Sequence, residues 1–158
     1  MSSIRVDFYL LQVNTGQEEP DLENVSQATA INTKALFACR LIEKAYLRGH
    51  QLFVYCNNKH DAETLDELLW TFKEDSFIPH NLQGEGPENP PPIQLGYERE
   101  PSGFSEILLN FSDIIPAFYN RFQRVMEIVP NEEQAKELSR LHYKEYRANG
   151  CVLKTHPI

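Results

Sequence analysis

Cysteine is scarce in this sequence of 158 residues, which contains only Cys39, Cys56 and Cys151 and no C-x-x-C pair. Three scattered cysteines supply neither a disulfide framework nor the paired ligands of a zinc knuckle. We therefore expect all three to be small buried apolar side chains in a reducing compartment.

Long apolar runs are also absent. Runs such as 107–109 and 114–117 are far shorter than the roughly 20 apolar residues that span a bilayer. The first residues lack the basic and then apolar pattern of a signal peptide. We expect a cytoplasmic protein that makes no contact with a membrane.

Positive charge is in short supply, because 15 Lys and Arg stand against 23 Asp and Glu, for a formal net charge of -8. Binding to a phosphate backbone depends on clustered cations that release counterions. The overall charge therefore argues against direct binding to nucleic acid, and we expect any contact with DNA to be indirect.

Motifs for catalysis and for cofactors are missing as well. The sequence has no G-x-S-x-G, H-E-x-x-H or Walker motif. Gly84, Glu85 and Gly86 are followed by Pro87 and by no helical pattern, which favours a turn over a phosphate loop. For His80, a structural role with backbone hydrogen bonds is favoured over a catalytic base. We predict no catalytic residue, no metal ligand and no cofactor.

The segment 14–24, between the first predicted strand and the first predicted helix, has a single glycine and four carboxylates. A dinucleotide site at such a junction needs several glycines and an uncompensated helix N-terminus, and the carboxylates would repel a pyrophosphate. We expect an exposed, mobile loop here. A small nucleotide-dependent enzyme is therefore the disfavoured alternative.

The rest of the chain alternates between strand-like and helix-like patterns. We predict strands at 5–13, 52–56, 93–96, 106–111 and 124–129, and helices at 27–48, 61–72, 114–122 and 132–148, the last one capped by Asn131. The proline-rich segment 77–92 is predicted to be irregular, and 124–129 to be the last strand. Strands that alternate with helices pair in parallel through right-handed crossovers. We predict one α/β domain over 1–158, with a mostly parallel mixed sheet between helical layers.

The predicted last helix separates charged from apolar residues. At about 100° per residue, one arc of roughly 100° is mainly basic; it contains Lys136, Arg140, Tyr143, Lys144 and Arg147. The opposite side is predicted to pack on the sheet; it contains Ala135, Leu138, Leu141, His142 and Tyr146. Ile128 or Val129, at the end of the preceding strand, would form the floor of a pocket beside the basic arc.

This basic strip (Lys136, Arg140, Tyr143, Lys144 and Arg147) has more than one interpretation. It could be a solvated face whose cations complement the helix dipole. It could instead dock an acidic peptide that ends in a carboxylate beside an apolar residue. A third alternative is direct binding of single-stranded DNA with Tyr143 as a stacking platform, which the overall acidity disfavours.

Six motifs in this sequence resemble those of one known family: Phe8-Tyr9-Leu10, Leu65-Asp66-Glu67-x-Leu69-Trp70, Ser76-Phe77-Ile78-Pro79-His80-Asn81-Leu82-x-Gly84-Glu85-Gly86, Leu108-Leu109-Asn110-x-Ser112, Arg121-Phe122-x-Arg124-Val125 and Arg140-x-x-Tyr143-Lys144-x-Tyr146-Arg147-x-x-Gly150. The chain resembles the chi subunit of the bacterial DNA polymerase III holoenzyme, an accessory protein of the clamp loader. The resemblance covers nearly the whole chain. Only the long acidic loop 14–24 and the end, 151–158, depart from it.

This resemblance implies a Rossmann-like fold without nucleotide chemistry. It also implies a non-catalytic role in DNA replication, as part of a DNA-directed DNA polymerase, which is a nucleotidyltransferase. Family members bind the acidic C-terminal tail of single-stranded-DNA-binding protein on one surface. Carried over, Arg140, Tyr143 and Lys144 would hold that tail, and helix geometry adds Lys136 and Arg147.

Family members also bind the psi subunit on a second surface, which is a candidate site for a helicase partner too. Carried over, Trp70, Phe77 and Pro79 would lie there. Without the family, a lone tryptophan at a helix end and a loop phenylalanine are more often core residues. The interface and the core are thus competing predictions for these side chains.

Overall fold

The computed structural model describes residues 3–12, 27–86 and 88–158, with 27–32 described as helix backbone only. The strands are β1 (Arg5–Leu10), β2 (Leu52–Cys56), β3 (His80–Leu82), β4 (Ile93–Tyr97), β5 (Ile107–Asn110), β6 (Arg124–Val129) and β7 (Val152–Pro157). The helices are α1 (Gln27–Leu47), α2 (Lys59–Thr71) and α3 (Glu133–Ala148). The predicted acidic loop 14–24 lies outside the described residues.

The seven described strands form one sheet in the order β3-β4-β2-β5-β6-β1-β7. The predicted α/β class is confirmed, and all strand pairings in the described part of the chain are parallel where a mixed sheet was predicted. Leu10 at the end of β1 is paired with Val129 of β6 and with Pro157 of β7. The carboxyl ends of these three strands therefore meet at one edge of the sheet.

The sheet has a hydrophobic core on each side. Helices α1 and α2 pack on one side, where Ile42 and Leu65 are buried. Helix α3 packs on the other, where Tyr146 is buried against Phe8. Because side chains alternate along a strand, β1 directs Phe8 toward α3 while Tyr9 contacts Phe37 of α1. The result is the predicted arrangement of three layers.

Strands β3 and β7 were not predicted, so the expectation that β6 would be the last strand was wrong. Strand β7 is at the edge of the sheet and all six of its side chains are exposed or half-buried, so it lacks the apolar pattern by which the other strands are recognised. Strand β3 has only three residues and lies inside the segment predicted to be irregular.

The predicted helix at 114–122 was also wrong, since only Tyr119–Arg121 form a short 3-10 turn. The side chains of Asn110 and Ser112 both donate hydrogen bonds to the carbonyl oxygen of Ile114. Such side-chain bonds compete with helical ones for the same backbone group, which explains the failure.

Asn131 does not cap α3. The N-cap residue is Glu132, without a side-chain cap bond, while the Asn131 amide donates to the carbonyl oxygen of Gln12 at the end of β1. The amide thus joins two loops at the carboxyl edge of the sheet.

The cysteine prediction is confirmed for Cys39 and Cys56, which are buried free thiols. Burial raises the pKa of each to about 12, so neither is a reactive thiolate near neutral pH. Cys151 is half-buried. No helix in the described ranges is long and apolar enough to cross a membrane.

Candidate functional site

A groove with a volume of about 730 Å³ opens between α3 and the carboxyl ends of β1 and β6. It is lined by Phe8, Leu10, Leu11, Gln12, Val129, Asn131, Lys136, Ser139, Arg140, Tyr143, Lys144, Arg147 and Thr155. The structure therefore brings together all five residues of the basic strip and Val129. Val129 is buried and forms part of the floor, whereas Ile128 points into the core beneath α1.

The rim of this groove is positively charged. Arg140, Lys144 and Arg147 are exposed and Lys136 is half-buried. Within the described ranges none of these four cations forms an ion pair, unlike Arg121, which pairs with Glu100. The described residues that line the groove include no acid. A visiting anion would therefore meet cations that need not first break an internal pair.

The floor of the groove is apolar. Tyr143 is 37% exposed, and its ring centroid lies 5.6 Å from that of Phe8. Phe8 is itself buried and packs against Tyr146. Cations beside an apolar floor can bind a peptide that ends in an apolar residue and a free carboxylate.

A buried polar network fixes α3 against the sheet. Glu127 of β6 accepts hydrogen bonds from Asn110 (2.9 Å), from the Nδ1 of His142 (2.9 Å) and from the hydroxyl of Tyr146 (2.6 Å). The other ring nitrogen of His142 lies 3.0 Å from the carbonyl oxygen of Asp113. Since both ring nitrogens face acceptors, only the protonated ring satisfies both contacts.

The environment of His142 changes its pKa in two directions. Burial, the largest single effect, lowers the pKa. The hydrogen bond and charge of Glu127, the carbonyl of Asp113 and the charge of Glu145 together raise it more, so the net shift is upward. The charged ring and the Glu127 carboxylate thus hold α3 at one rotation about its axis. We expect this to keep the basic strip turned toward the groove.

Leu141 was predicted to pack on the sheet, and this was wrong, since it is 63% exposed. His142 and Tyr146 are buried as predicted, and Ala135 and Leu138 are half-buried. Leu141 lies about 100° around the helix from His142, outside the stripe that the network holds against the sheet.

The second predicted surface is at the opposite end of the sheet, beside β3. Trp70 is 48% exposed and Phe77 is 67% exposed, and their ring centroids are 5.7 Å apart. Pro79 is half-buried nearby in sequence. Trp70 and Phe77 are therefore not core residues, and they form an exposed aromatic pair of the kind found at protein interfaces.

The ring of His80 packs against Trp70 of this pair. It is buried, its ring centroid lies 4.3 Å from that of Trp70, and its ring nitrogens contact the carbonyl oxygens of Ile78 and Asp66. Both nitrogens are therefore engaged, as expected of a structural histidine.

Two predictions about cofactors can be compared with the structure. Gly84 and Gly86 have positive φ angles and are followed by no helix, which agrees with a turn. Among the described residues no group of three His, Cys, Asp or Glu side chains could hold a metal ion.

Several groove residues were not identified from the sequence. Thr155 lies on the unpredicted β7, Gln12 and Ser139 had no pattern to mark them, and Asn131 was predicted only as a helix cap. The network behind α3 did have a signal. Glu127 interrupts the apolar strand β6, and a carboxylate inside a buried strand requires partners.

The comparisons with known proteins match this chain to one family. The family model described as "DNA polymerase III chi subunit, HolC" matches residues 4–154. A DNA polymerase III subunit chi from Pseudomonas aeruginosa is 35% identical over 119 residues, covering 75% of this chain and 82% of that protein. The subunit chi of Escherichia coli strain K12 is 30% identical over 135 residues, covering 85% of this chain and 92% of that protein. The subunit chi of Haemophilus influenzae is 30% identical over 122 residues, covering 77% and 85% respectively.

Proposed function

Since this chain belongs to the DNA polymerase III chi subunit family, we propose that it joins the psi subunit to the acidic C-terminal tail of single-stranded-DNA-binding protein. It acts in DNA replication as an accessory, non-catalytic subunit of DNA polymerase III. The observation that carries the proposal for the tail is the groove, in which four cations that form no ion pair with any described residue lie beside an apolar floor.

The groove suits the end of an acidic peptide in particular. A terminal carboxylate can accept charge-assisted hydrogen bonds from Arg140 and Lys144. An apolar side chain next to that terminus can lie on Val129 and against the ring of Tyr143. Lys136 and Arg147, on either side along α3, would attract the acidic residues that precede the terminus.

The two surfaces are far enough apart to be occupied together. The groove lies on the α3 side of the sheet near β1 and β7, while Trp70 and Phe77 lie near β3, at the other end of the strand order. Binding at one surface therefore leaves the other free, as bridging requires.

Bridging of this kind works by tethering. A DNA strand coated with proteins that each carry a flexible acidic tail presents many copies of the same ligand. Once one contact forms, the next becomes effectively intramolecular, so weak tail binding still holds the polymerase assembly near the strand. The link to DNA at this groove is thus indirect.

We predict that Arg140→Ala and Lys144→Ala each weaken binding of a tail peptide by about tenfold or more, since a hydrogen bond to a charged group contributes about 1.5–3 kcal/mol. Isothermal titration calorimetry with the peptide measures this. Lys59→Ala is the matched control, because Lys59 is an exposed cation on α2, away from the groove. Unchanged affinity in both strip variants, with the control also unchanged, would place the tail elsewhere.

The salt dependence of tail binding gives a separate prediction. Because the strip cations are exposed, their attraction to the peptide is screened as salt is added, with a Debye length of about 10 Å at 0.1 M. We expect affinity to fall steadily between low and high salt, and to fall less in Arg140→Ala. Affinity independent of salt would indicate that the apolar floor alone binds the peptide.

A further inference from the structure

The α1 side of the sheet carries an open, positively charged surface at β1 and β7 that the tail groove does not include. Strand alternation directs Arg5, Asp7 and Tyr9 to this side. The register of β7 places Lys154 beside Asp7 and His156 beside Tyr9. We call this surface the open face; its residues are Arg5, Asp7, Tyr9, Arg124, Lys154 and His156 on the sheet, Phe37 and Lys44 on α1, and Arg48 in the turn directly after α1.

One buried carboxylate organises the open face. Asp7 accepts hydrogen bonds from the Nε of Arg124 (2.7 Å) and from the Nε and Nη2 of Arg5 (3.0 Å each, to different oxygens), and the Nε2 of His156 lies 2.6 Å away. Burial raises the pKa of Asp7, but these bonds lower it more, so the group stays ionised. Each guanidinium is therefore fixed in place while its Nη1 has no partner among the described residues.

Helix α1 and the turn after it add two cations, Lys44 and Arg48, along one side of this surface. The rings of Phe37 and Tyr9 are 5.6 Å apart, and Lys44 and Arg48 lie within about 20° of Phe37 around the helix. Helix α1 starts past the carboxyl end of β1 and ends before β2 begins, so it runs antiparallel to the strands. Lys44 lies about 10 Å from Phe37 along the helix, in the direction of the amino ends of the strands.

The charge balance of the open face is opposite to that of the chain. Among its described residues the open face has five cations and one carboxylate, in a protein with a formal net charge of -8. Lys44, Arg48 and Lys154 are exposed, and they form no ion pair with any residue that the structure describes. Clustered cations of this kind bind polyanions and release counterions.

An aromatic stack on the open face indicates which class of polyanion this surface binds. The His156 ring stacks on Tyr9 with centroids 5.0 Å apart and an interplanar angle of 24°, and Tyr9 in turn contacts Phe37. The His156 side chain is 35% exposed, so its outer side can extend the stack by one nucleobase. The carboxylates of an acidic peptide could pair with the cations but would not stack on this ring, whereas a nucleotide can do both through its phosphate and its base.

We infer that the open face binds single-stranded DNA directly, with phosphates on the five cations and a base on His156. Thr155 lines the tail groove while its neighbours Lys154 and His156 face the other side of the same edge strand. DNA and the tail can therefore be held together. The inference adds a direct contact to the tethering proposed above and does not depend on it.

Fluorescence anisotropy of a labelled oligothymidylate at low salt tests this inference with the full chain. The logarithm of the affinity should fall with the logarithm of the salt concentration with a slope of about -0.7 per phosphate contact, or about -3.5 for five contacts. The triple variant Lys44→Glu, Arg48→Glu, Lys154→Glu should bind at least about tenfold more weakly, with a slope less steep by about 2. These three side chains are exposed and unpaired in the described structure, so the variant should fold.

Further variants separate the alternatives. His156→Ala should weaken binding about fivefold or more while His156→Tyr retains it, because stacking contributes about 1–3 kcal/mol per base. The control is Lys59→Glu with Lys73→Glu, two charge reversals on α2 and just beyond it, where Lys59 pairs with Glu63 and Lys73 with Glu43. It should leave oligothymidylate binding unchanged. Tail-peptide binding by the triple variant should equal that of the unmodified chain, which separates this test from that of the groove.

Three outcomes would overturn the inference. The first is no oligothymidylate binding by the unmodified chain at low salt. The second is binding that the triple variant retains but Arg140→Glu loses, which would assign DNA to the basic strip. The third is a glutamate-rich peptide that competes fully with the oligonucleotide and is unaffected by His156→Ala, which would assign the open face to an acidic protein.

Discussion

Trp70→Ala is expected to weaken binding of the psi subunit by about 30-fold or more, because aromatic residues at interface hot spots contribute at least about 2 kcal/mol. Trp70 and Phe77 form an exposed aromatic pair on the surface beside β3. Burial of this pair against a partner would remove a large apolar area from water. Phe77→Ala should have a similar effect. Surface plasmon resonance with immobilised psi measures both.

The controls for this prediction test stability and specificity. Leu47→Ala is the matched change, since Leu47 is also a large exposed apolar residue, but at the end of α1; it should leave psi binding unchanged. Tail-peptide affinity should be unchanged in all three variants. If Trp70→Ala and Phe77→Ala both unfold the protein, the pair belongs to the core and the interface assignment is wrong.

Glu127→Leu is expected to lower the free energy of unfolding by about 3–5 kcal/mol, the usual cost of removing one partner of a buried charged network. The change leaves Asn110, His142 and Tyr146 without the acceptor that all three share. Urea unfolding followed by circular dichroism measures the loss. Glu145→Leu is the comparison, because Glu145 is exposed on the same side of the sheet and its loss should cost little. Equal effects in the two variants would mean that the network does not hold α3.

The same network predicts how stability depends on pH. The folded-state pKa of His142 is above its ordinary value of 6.5, so protonation stabilises the fold. This contribution is complete below about pH 6.5 and is lost as the pH rises through the folded-state pKa. We therefore expect the difference in the free energy of unfolding between the unmodified chain and His142→Gln to decrease as the pH rises through the folded-state pKa of His142. A difference that stays constant with pH would show that the charge of the His142 ring does not interact with Glu127 or with the nearby Glu145.

Much of the fold followed from local pattern. Strands β2 and β6 were predicted with the bounds they have, because each is a short apolar run bounded by polar residues and buried on both sides. Helices α1 and α3 followed from their apolar periodicity. These elements account for the order of the layers, and hence for the side of the sheet on which the basic strip lies.

The elements that were missed depend on contacts distant in sequence. Strand β7 is a strand because it pairs with β1 from the other end of the chain, and its own residues carry no apolar pattern. The loop at 114–116 is fixed by Asn110 and Ser112 rather than by helix propensity. Leu141 is exposed because the buried network around Glu127 sets the rotation of α3 about its axis. Helical spacing alone does not determine that rotation.

The two candidate sites also differ in how far the sequence could predict them. The basic strip could be read from one helix, because its five residues share a side of α3. The open face could not, since its residues come from β1, β6, β7 and the α1 region. Asp7 and His156, for example, are in contact although they are 149 positions apart. A strong net negative charge conceals such a surface, because composition does not show where charge of the minority sign collects.

The central claim is that an acidic chain end enters the groove beside α3, and mapping by NMR tests it most directly. We predict that titration of the 15N-labelled chain with tail peptide shifts the amide signals of Val129, Tyr143 and Thr155. Trp70 should not respond, and a peptide with an amidated C-terminus should produce much smaller shifts at the same concentration. Shifts centred on another surface, or equal shifts with both peptides, would contradict the account.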